Sequence, residues 1–288
     1  MRPEVLYNSV TVNLPKNIAQ FLLGSVIFLI IHGSVDVATL VIALTGFNLA
    51  YSSVYIYNDM TDASEDRRDP DKLPWKPVAN GSLSLGSARR VHVILLAAGL
   101  LVSFIVSALF FAMVLALLTL NFIHSSPAIR LKNHMAPTMA NIGAMAFIKF
   151  SLGWFALTSG TSGYPVLFFL MMSVVYVMGY MSYKSSFWAR KENRSRRSML
   201  LLGSAVAVLF IFSLFFYIFP LSMIMLLLLY GVMYVLRNTI WSSSNSFRQL
   251  LVVDMVIIPV LIVPFLVLLI PALAAVNNNI VVFLMSIF

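Results

Sequence analysis

Apolar runs long enough to cross a bilayer recur along almost the whole chain, separated by short polar joins. Taking roughly 17 to 25 apolar residues per span, the pattern predicts nine helices, at about 17–33, 37–57, 90–108, 109–125, 136–157, 165–184, 198–217, 220–236 and 250–273. The joins at 108/109 and 218/219 are short enough to make two tight helical hairpins, the second turning at Pro220. The apolar tail after Asn277 is too short to span and is expected to lie on the membrane surface. The fold expected is therefore all-α, a polytopic membrane protein.

Composition supports this pattern. The 288 residues are 60% hydrophobic and 10% charged, which leaves too little polar surface to cover a soluble globule of that size. The first apolar run begins after Lys16 and many follow, so a cleaved signal peptide ahead of a soluble domain is not expected. Cysteine is absent, which removes disulfides, zinc-thiolate centres and thiol nucleophiles. The net charge of +9 points to topology rather than to nucleic acid. With nine spans, the cations from Arg2 and Lys16 through Arg67, Arg89, Arg130, Arg190 and Arg197 to Arg248 all fall on one side. The positive-inside rule makes that side cytoplasmic, with a cytoplasmic N-terminus and an outer C-terminus. The location expected is the cell membrane.

Against this background "YIYNDMTDASEDRRDPDKLPWKPVANGSLS", residues 55–84, concentrates carboxylates between spans 2 and 3. Asn58, Asp59, Asp62 and Asp66 have the spacing N-D-x-x-D-x-x-x-D. If helix 2 continues this far, the three aspartates lie at i, i+3 and i+7 on one face. Their mutual repulsion makes such a face expensive without a cation. Magnesium suits it, since it takes oxygen ligands and bridges carboxylates to substrate phosphates. The bland alternative is a solvated acidic loop end. Glu65, Asp69 and Asp71 are read as solvated partners of Arg67, Arg68 and Lys72. Lys72 and Lys76 are either phosphate donors or lipid-headgroup anchors.

The run "NDMTDASEDRRDPDKLPWKPVANGSLS", with its trailing K-P-V-x-x-G-x-x-S, resembles the first aspartate-rich motif of the UbiA superfamily of intramembrane prenyltransferases. "HSSPAIRLK", residues 124–132, is similar to that family's Y-S-A-P-P-L-R-L-K segment, with His124 in place of tyrosine. The resemblance implies one domain over residues 1–288, a bundle around an apolar cavity open sideways to lipid, and a diphosphate held at the cytoplasmic cap by two magnesium sites. It implies an isoprenyl diphosphate and a hydrophobic acceptor as partners, with membrane lipids around the bundle and no nucleic acid. The first metal site would comprise Asn58, Asp59, Asp62 and Asp66, and Arg67, Lys72, Lys76, Arg130, Lys132 and Arg190 would contact the diphosphate. Asp59, Asp62 and Lys184 are the residues expected to carry catalysis.

The family's second acidic motif, K-D-V-E-G-D-R, is met here by "SYKSSFWAR", residues 182–190. Aligned on Lys184 and Arg190, the expected aspartates are Ser182, Ser185 and Ala189. Either the site has eroded, leaving an inactive homologue that binds or scaffolds prenyl lipid beside a paralogue, or Lys184, Arg190 or Lys191 supplies fixed charge where a second magnesium would sit. A third reading compares Asp66, Arg67, Pro70 and Lys72 with the D-R-x-x-P-x-K run of enzymes that make polyprenyl-phosphoryl-phosphoribose. A small-solute transporter is disfavoured, because Lys149 is the one ionisable residue deep in a span. Lys149 either has a function or snorkels outward near Trp154. Asp254 either completes the polar cap or pairs with Arg248, and Asn48 and Asn141 are either cavity groups or, as packing favours, makers of interhelical hydrogen bonds.

Overall fold

The structure is a computed structural model, and it describes residues 14–70, 73–126, 128–129, 131, 134–188, 204 and 208. Seven α-helices form in this part: α1 Leu14–His32, α2 Val37–Thr61, α3 Ala63–Asp66, α4 Leu85–Val106, α5 Ala108–Ser125, α6 Met135–Phe155 and α7 Val166–Trp188. One 3-10 turn, Leu73–Trp75, sits between α3 and α4. There is no strand among the described residues, and the first six spans expected from hydropathy are all helices. The runs at 198–217, 220–236 and 250–273, together with Asp254 and the tail, lie outside the described residues, Ser204 and Val208 apart.

Local chemistry sets the helix ends. Asp36 caps α2 by accepting the amide protons of Ala38 and Thr39 and the Thr39 hydroxyl proton. The Thr39 hydroxyl, as the main cause, holds this carboxyl below the usual aspartate value. Ser84 Oγ accepts from Ser87 N–H at 3.2 Å, so α4 begins five residues before the apolar run does. The first hairpin turns at Ser107, whose extended backbone breaks the chain and whose Oγ accepts from Phe110 N–H at 3.1 Å. It turns one residue earlier than the join read at 108/109.

Close backbone contact between helices builds the bundle. A Cβ on Gly153 of α6 would fall on the Phe21 carbonyl of α1, and one on Gly24 would fall on the Phe150 carbonyl. Ser25 Oγ donates to the Gly153 carbonyl across the same crossing at 2.9 Å. Small residues at crossings are how apolar helices approach in lipid. Asn17 meets Lys149 at one end of this pair while Phe28 and His32 pack on Trp154 at the other, so α1 and α6 run in the same direction. The pair α2 and α4 is joined similarly, with Gly99 on the backbone of Ala50 and Gly46 against Ser103.

Two large apolar clusters fill the interior, and a small one of Ile56, Val78, Leu83 and Ala88 lies beneath the loop after α3. One gathers Phe28, Phe150, Trp154, Phe168 and Phe169 between α1, α6 and α7, and the other gathers Phe21, Phe47, Phe110, Leu117 and Leu118. Large apolar side chains also face outward: Val93, Ile94, Leu101, Phe104 and Ile105 of α4 are each more than half exposed. Such a face suits hydrocarbon, not water. Among the described residues, α2, α4 and α5 are long and apolar enough to cross a membrane. Asn141 joins α6 to α5 by donating to the Leu120 carbonyl at 3.4 Å, the interhelical bond expected of it.

Candidate functional site at the acidic cap

The end of α2 carries the acidic motif, but not on one unbroken helix. Asp62 ends α2 and begins α3, with φ −94° and ψ 0°, so the three aspartates straddle a break. Hydrogen bonds from Asp62 N–H to the Asn58 carbonyl and from Asp66 N–H to the Asp62 carbonyl keep the two pieces nearly in register. Asp59 and Asp66 consequently both turn inward, at 3% and 6% exposure, while Glu65 beside them is exposed. The face expected of a continuous helix survives the break.

The loop that follows folds back over this face. Asn80 N–H donates to the Lys76 carbonyl and Leu83 N–H to the Pro77 carbonyl, both at 2.9 Å. Asn80 Oδ1 accepts from Ser82 N–H, and Gly81 between them takes φ +82°, a left-handed turn that favours glycine. The glycine of the K-P-V-x-x-G run therefore has a backbone reason. Arg67 Nε donates to the Ala79 carbonyl at 3.1 Å and ties α3 to the loop. The product of these bonds is the position of Lys76. Its Nζ lies 2.7 Å from Asp59 Oδ1 and 3.9 Å from Asp66 Oδ2.

Burial alone would lower the Lys76 pKa, but attraction and hydrogen bonding from Asp59, with Asp66 and Asp62 adding to it, outweigh that cost and hold it above the ordinary lysine value. Lys76 is thus a charged ammonium among carboxylates, a contact that sequence reasoning had not paired with Asp59.

Among the described residues, no three His, Asp or Glu side chains gather closely enough to hold a metal together. The donor set nevertheless fits a hard divalent ion. Two buried carboxylates already converge on one cation, and Asn58 Oδ1 is buried with no hydrogen-bond partner. Arg67 is exposed and engaged with Ala79, while Lys72, Arg130, Lys132, Ala189, Arg190 and Lys191 lie outside the described residues. Ser182, Lys184 and Ser185 lie on α7, which continues past the apolar run that predicted its end.

Of the two alternatives for Lys149, the structure sets aside snorkelling. Lys149 does not snorkel outward toward Trp154, which is itself fully buried among Phe28, His32, Tyr164 and Phe169. Its side chain instead reaches back to donate to Asn17 Oδ1 at 2.9 Å, with Nζ 4.4 Å from the centre of the Tyr51 ring. The bias of helical side chains toward the N-terminal end of their helix permits this direction, and the hydrogen bond to Asn17 fixes it.

Comparison with known proteins agrees with this architecture. The structure of a UbiA homologue from Archaeoglobus fulgidus bound to DMAPP and Mg2+ is similar, with a TM-score of 0.68 at 15% identity over 91% of this chain and 99% of that one. The same homologue bound to GPP and Mg2+ gives 0.67 at 16% identity, over 91% and 99%. A digeranylgeranylglyceryl phosphate synthase gives 0.60 at 14% identity, over 94% and 98%. At these identities the likeness shows the fold. No curated protein matches the chain in sequence. The model of the UbiA prenyltransferase family matches residues 18–244, and the chain belongs to that family.

Proposed function

We propose that the protein transfers a prenyl group from an isoprenyl diphosphate to a lipophilic or phosphorylated acceptor inside the membrane, with magnesium at the acidic cap. The observation that carries this reading is the convergence of Asp59 and Asp66 on a single cation position above an apolar bundle. Family membership supports prenyl transfer in general, and the relatives bound to DMAPP or GPP with Mg2+ support the choice of donor and metal.

Asn58, Asp59, Asp62 and Asp66 would hold the metal. Magnesium, when bound, supplies positive charge that stabilises the departing diphosphate. Lys76 is placed to give a further cation to the same diphosphate, as Lys72 would from the same loop and Arg130, Lys132 and Arg190 from others. The bundle contributes by burying the prenyl chain, at roughly 0.8 kcal/mol for each CH2. It also excludes water from the allylic carbon, so the acceptor rather than water attacks there. The cytoplasmic placement of this cap belongs to the same proposal and rests on the one-sided cations.

One observation favours a second reading. "SYKSSFWAR" carries no carboxylate, so a protein that binds prenyl lipid without transferring it fits that segment. The first reading assigns Lys184 the charge of the second metal. Incubating the purified protein with radiolabelled geranylgeranyl diphosphate, magnesium and a membrane extract separates the two. Transfer of label into an extract lipid, absent when magnesium is chelated, is expected. Retention of all label as bound, unreacted diphosphate would establish the binding protein instead.

A further inference from the structure

Lys76 stands against the very carboxylates that would receive a metal. Its Nζ lies 2.7 Å from Asp59 Oδ1 and 3.9 Å from Asp66 Oδ2, and both aspartates are buried. Magnesium takes carboxylate oxygens at about 2.0–2.1 Å. An ammonium already on Asp59 blocks that approach to the same oxygen, and two cations so close together repel each other strongly. Lys76 and a divalent ion therefore compete for Asp59.

Only the side chain of Lys76 is built to yield. Its backbone is pinned on both sides, since the amide donates to the Leu73 carbonyl at 3.3 Å and the carbonyl accepts from Asn80 N–H at 2.9 Å. Pro77, Val78 and Ala79 follow it into the interior, where Val78 joins Ile56, Leu83 and Ala88 in one apolar cluster. The Lys76 side chain, by contrast, is 26% exposed, against 3% for that of Asp59. Lysine carries a compact charge on a flexible stem. The ammonium can thus rotate off Asp59 toward the open side of the cap while the loop stays in place. A diphosphate arriving there offers several charged oxygens to which a lysine donates well.

We infer that Lys76 is the resident counter-ion of the acidic cap, keeping divalent metal off Asp59 until a diphosphate draws its ammonium away, so that metal and diphosphate load together. The inference rests on the prenyl-transfer reading and adds the way in which that site fills. While it holds Asp59, Lys76 offsets the repulsion among Asp59, Asp62 and Asp66. Once it turns to the diphosphate, Asp59 is released to the metal. By linkage, whatever the diphosphate adds to metal affinity the metal adds to diphosphate affinity. A lysine that only braced the loop against α2 would help metal binding rather than oppose it.

The test measures Mn2+ affinity by electron paramagnetic resonance for wild type, Lys76→Met, Lys76→Gln and Lys76→Arg in detergent. Each is titrated with Mn2+ alone and with geranyl diphosphate present, corrected for the complex that the two form in buffer. Mn2+ alone should bind Lys76→Met and Lys76→Gln at least about tenfold more tightly than wild type, because a competing cation is gone. Lys76→Arg should exclude it as wild type does. The gain in Mn2+ affinity brought by geranyl diphosphate should be at least about 30-fold in wild type and at least about fivefold smaller in the two neutral variants. Lys76→Gln can still donate to Asp59, so it gives an answer even if Lys76→Met does not fold. Affinity for Mn2+ alone that is unchanged or lower in the neutral variants overturns the inference and makes Lys76 a brace, while the prenyl-transfer reading keeps its support from the gain in wild type. Wild type that binds no Mn2+ even with geranyl diphosphate would refute that reading and the inference together.

Discussion

Asp59→Ala is expected to weaken binding of Mn2+, used as a spectroscopic substitute for magnesium, by at least about 100-fold in the presence of geranyl diphosphate, or about 2.7 kcal/mol. Asp59 is the most buried carboxylate of the cap and the one in direct contact with Lys76. Its removal takes away one proposed ligand and also leaves Lys76 to Asp66, 3.9 Å away, and to the weaker pull of Asp62. The remaining carboxylate is then more strongly engaged by the lysine and less available to a metal. Electron paramagnetic resonance of free Mn2+ during titration reads the loss directly. Glu65→Ala, an exposed neighbour in the same acidic run, should change Mn2+ affinity less than about twofold, the little that a screened surface charge contributes. Equal losses in the two variants would reduce the cap to a diffuse acidic patch.

The second large effect is expected at the crossing of α1 and α6. Gly153→Val places a branched side chain where the Phe21 carbonyl already lies, and the Ser25 amide is 2.8 Å from the position of its Cβ. Backbone cannot turn aside as a side chain can, so the helices must separate. The cost should reach about 3 kcal/mol, the upper part of the range for overpacked cores. Thermal unfolding in detergent should show it as a midpoint lowered by several degrees or as failure to recover monodisperse protein. Gly86→Ala is the control, because nothing lies within 4 Å of its Cβ position, and it should be neutral or slightly stabilising. A Gly153→Val protein as stable as wild type would mean that the two helices do not approach as described. The same crossing holds Asn17 of α1 against Lys149 of α6, so its loss should also break that hydrogen bond.

Hydropathy located six of the described helices because lipid-spanning helices must satisfy their backbone internally and hide it behind apolar side chains. It misplaced ends where a helix runs on into polar sequence. α4 starts at Leu85 because Ser84 caps it, and an apolar window cannot register a cap. α2 extends to Thr61 through the polar Asn58 and Asp59 for the same reason. The inward face of Asp59 and Asp66 was legible from spacing alone, since helical periodicity tolerates the break at Asp62. The pairing of Lys76 with Asp59 was not, because the two stand seventeen positions apart, across α3 and the 3-10 turn, and meet only once the chain between them has folded back. Lys149 shows a different limit. Sequence placed it deep in a span, but its direction is fixed by a partner on α1, 132 residues away.

The acidic cap is proposed to hold a prenyl diphosphate through a divalent cation. Isothermal titration of geranyl diphosphate into the purified wild-type protein, once with magnesium and once with the metal chelated, tests it most directly. Saturable binding of one geranyl diphosphate per chain is expected in magnesium, and at least about 100-fold weaker binding without it, a difference of about 2.7 kcal/mol. Binding of equal strength in both solutions would contradict it, and would leave the basic side chains of the loops, not the carboxylates of Asp59, Asp62 and Asp66, as the holders of the diphosphate.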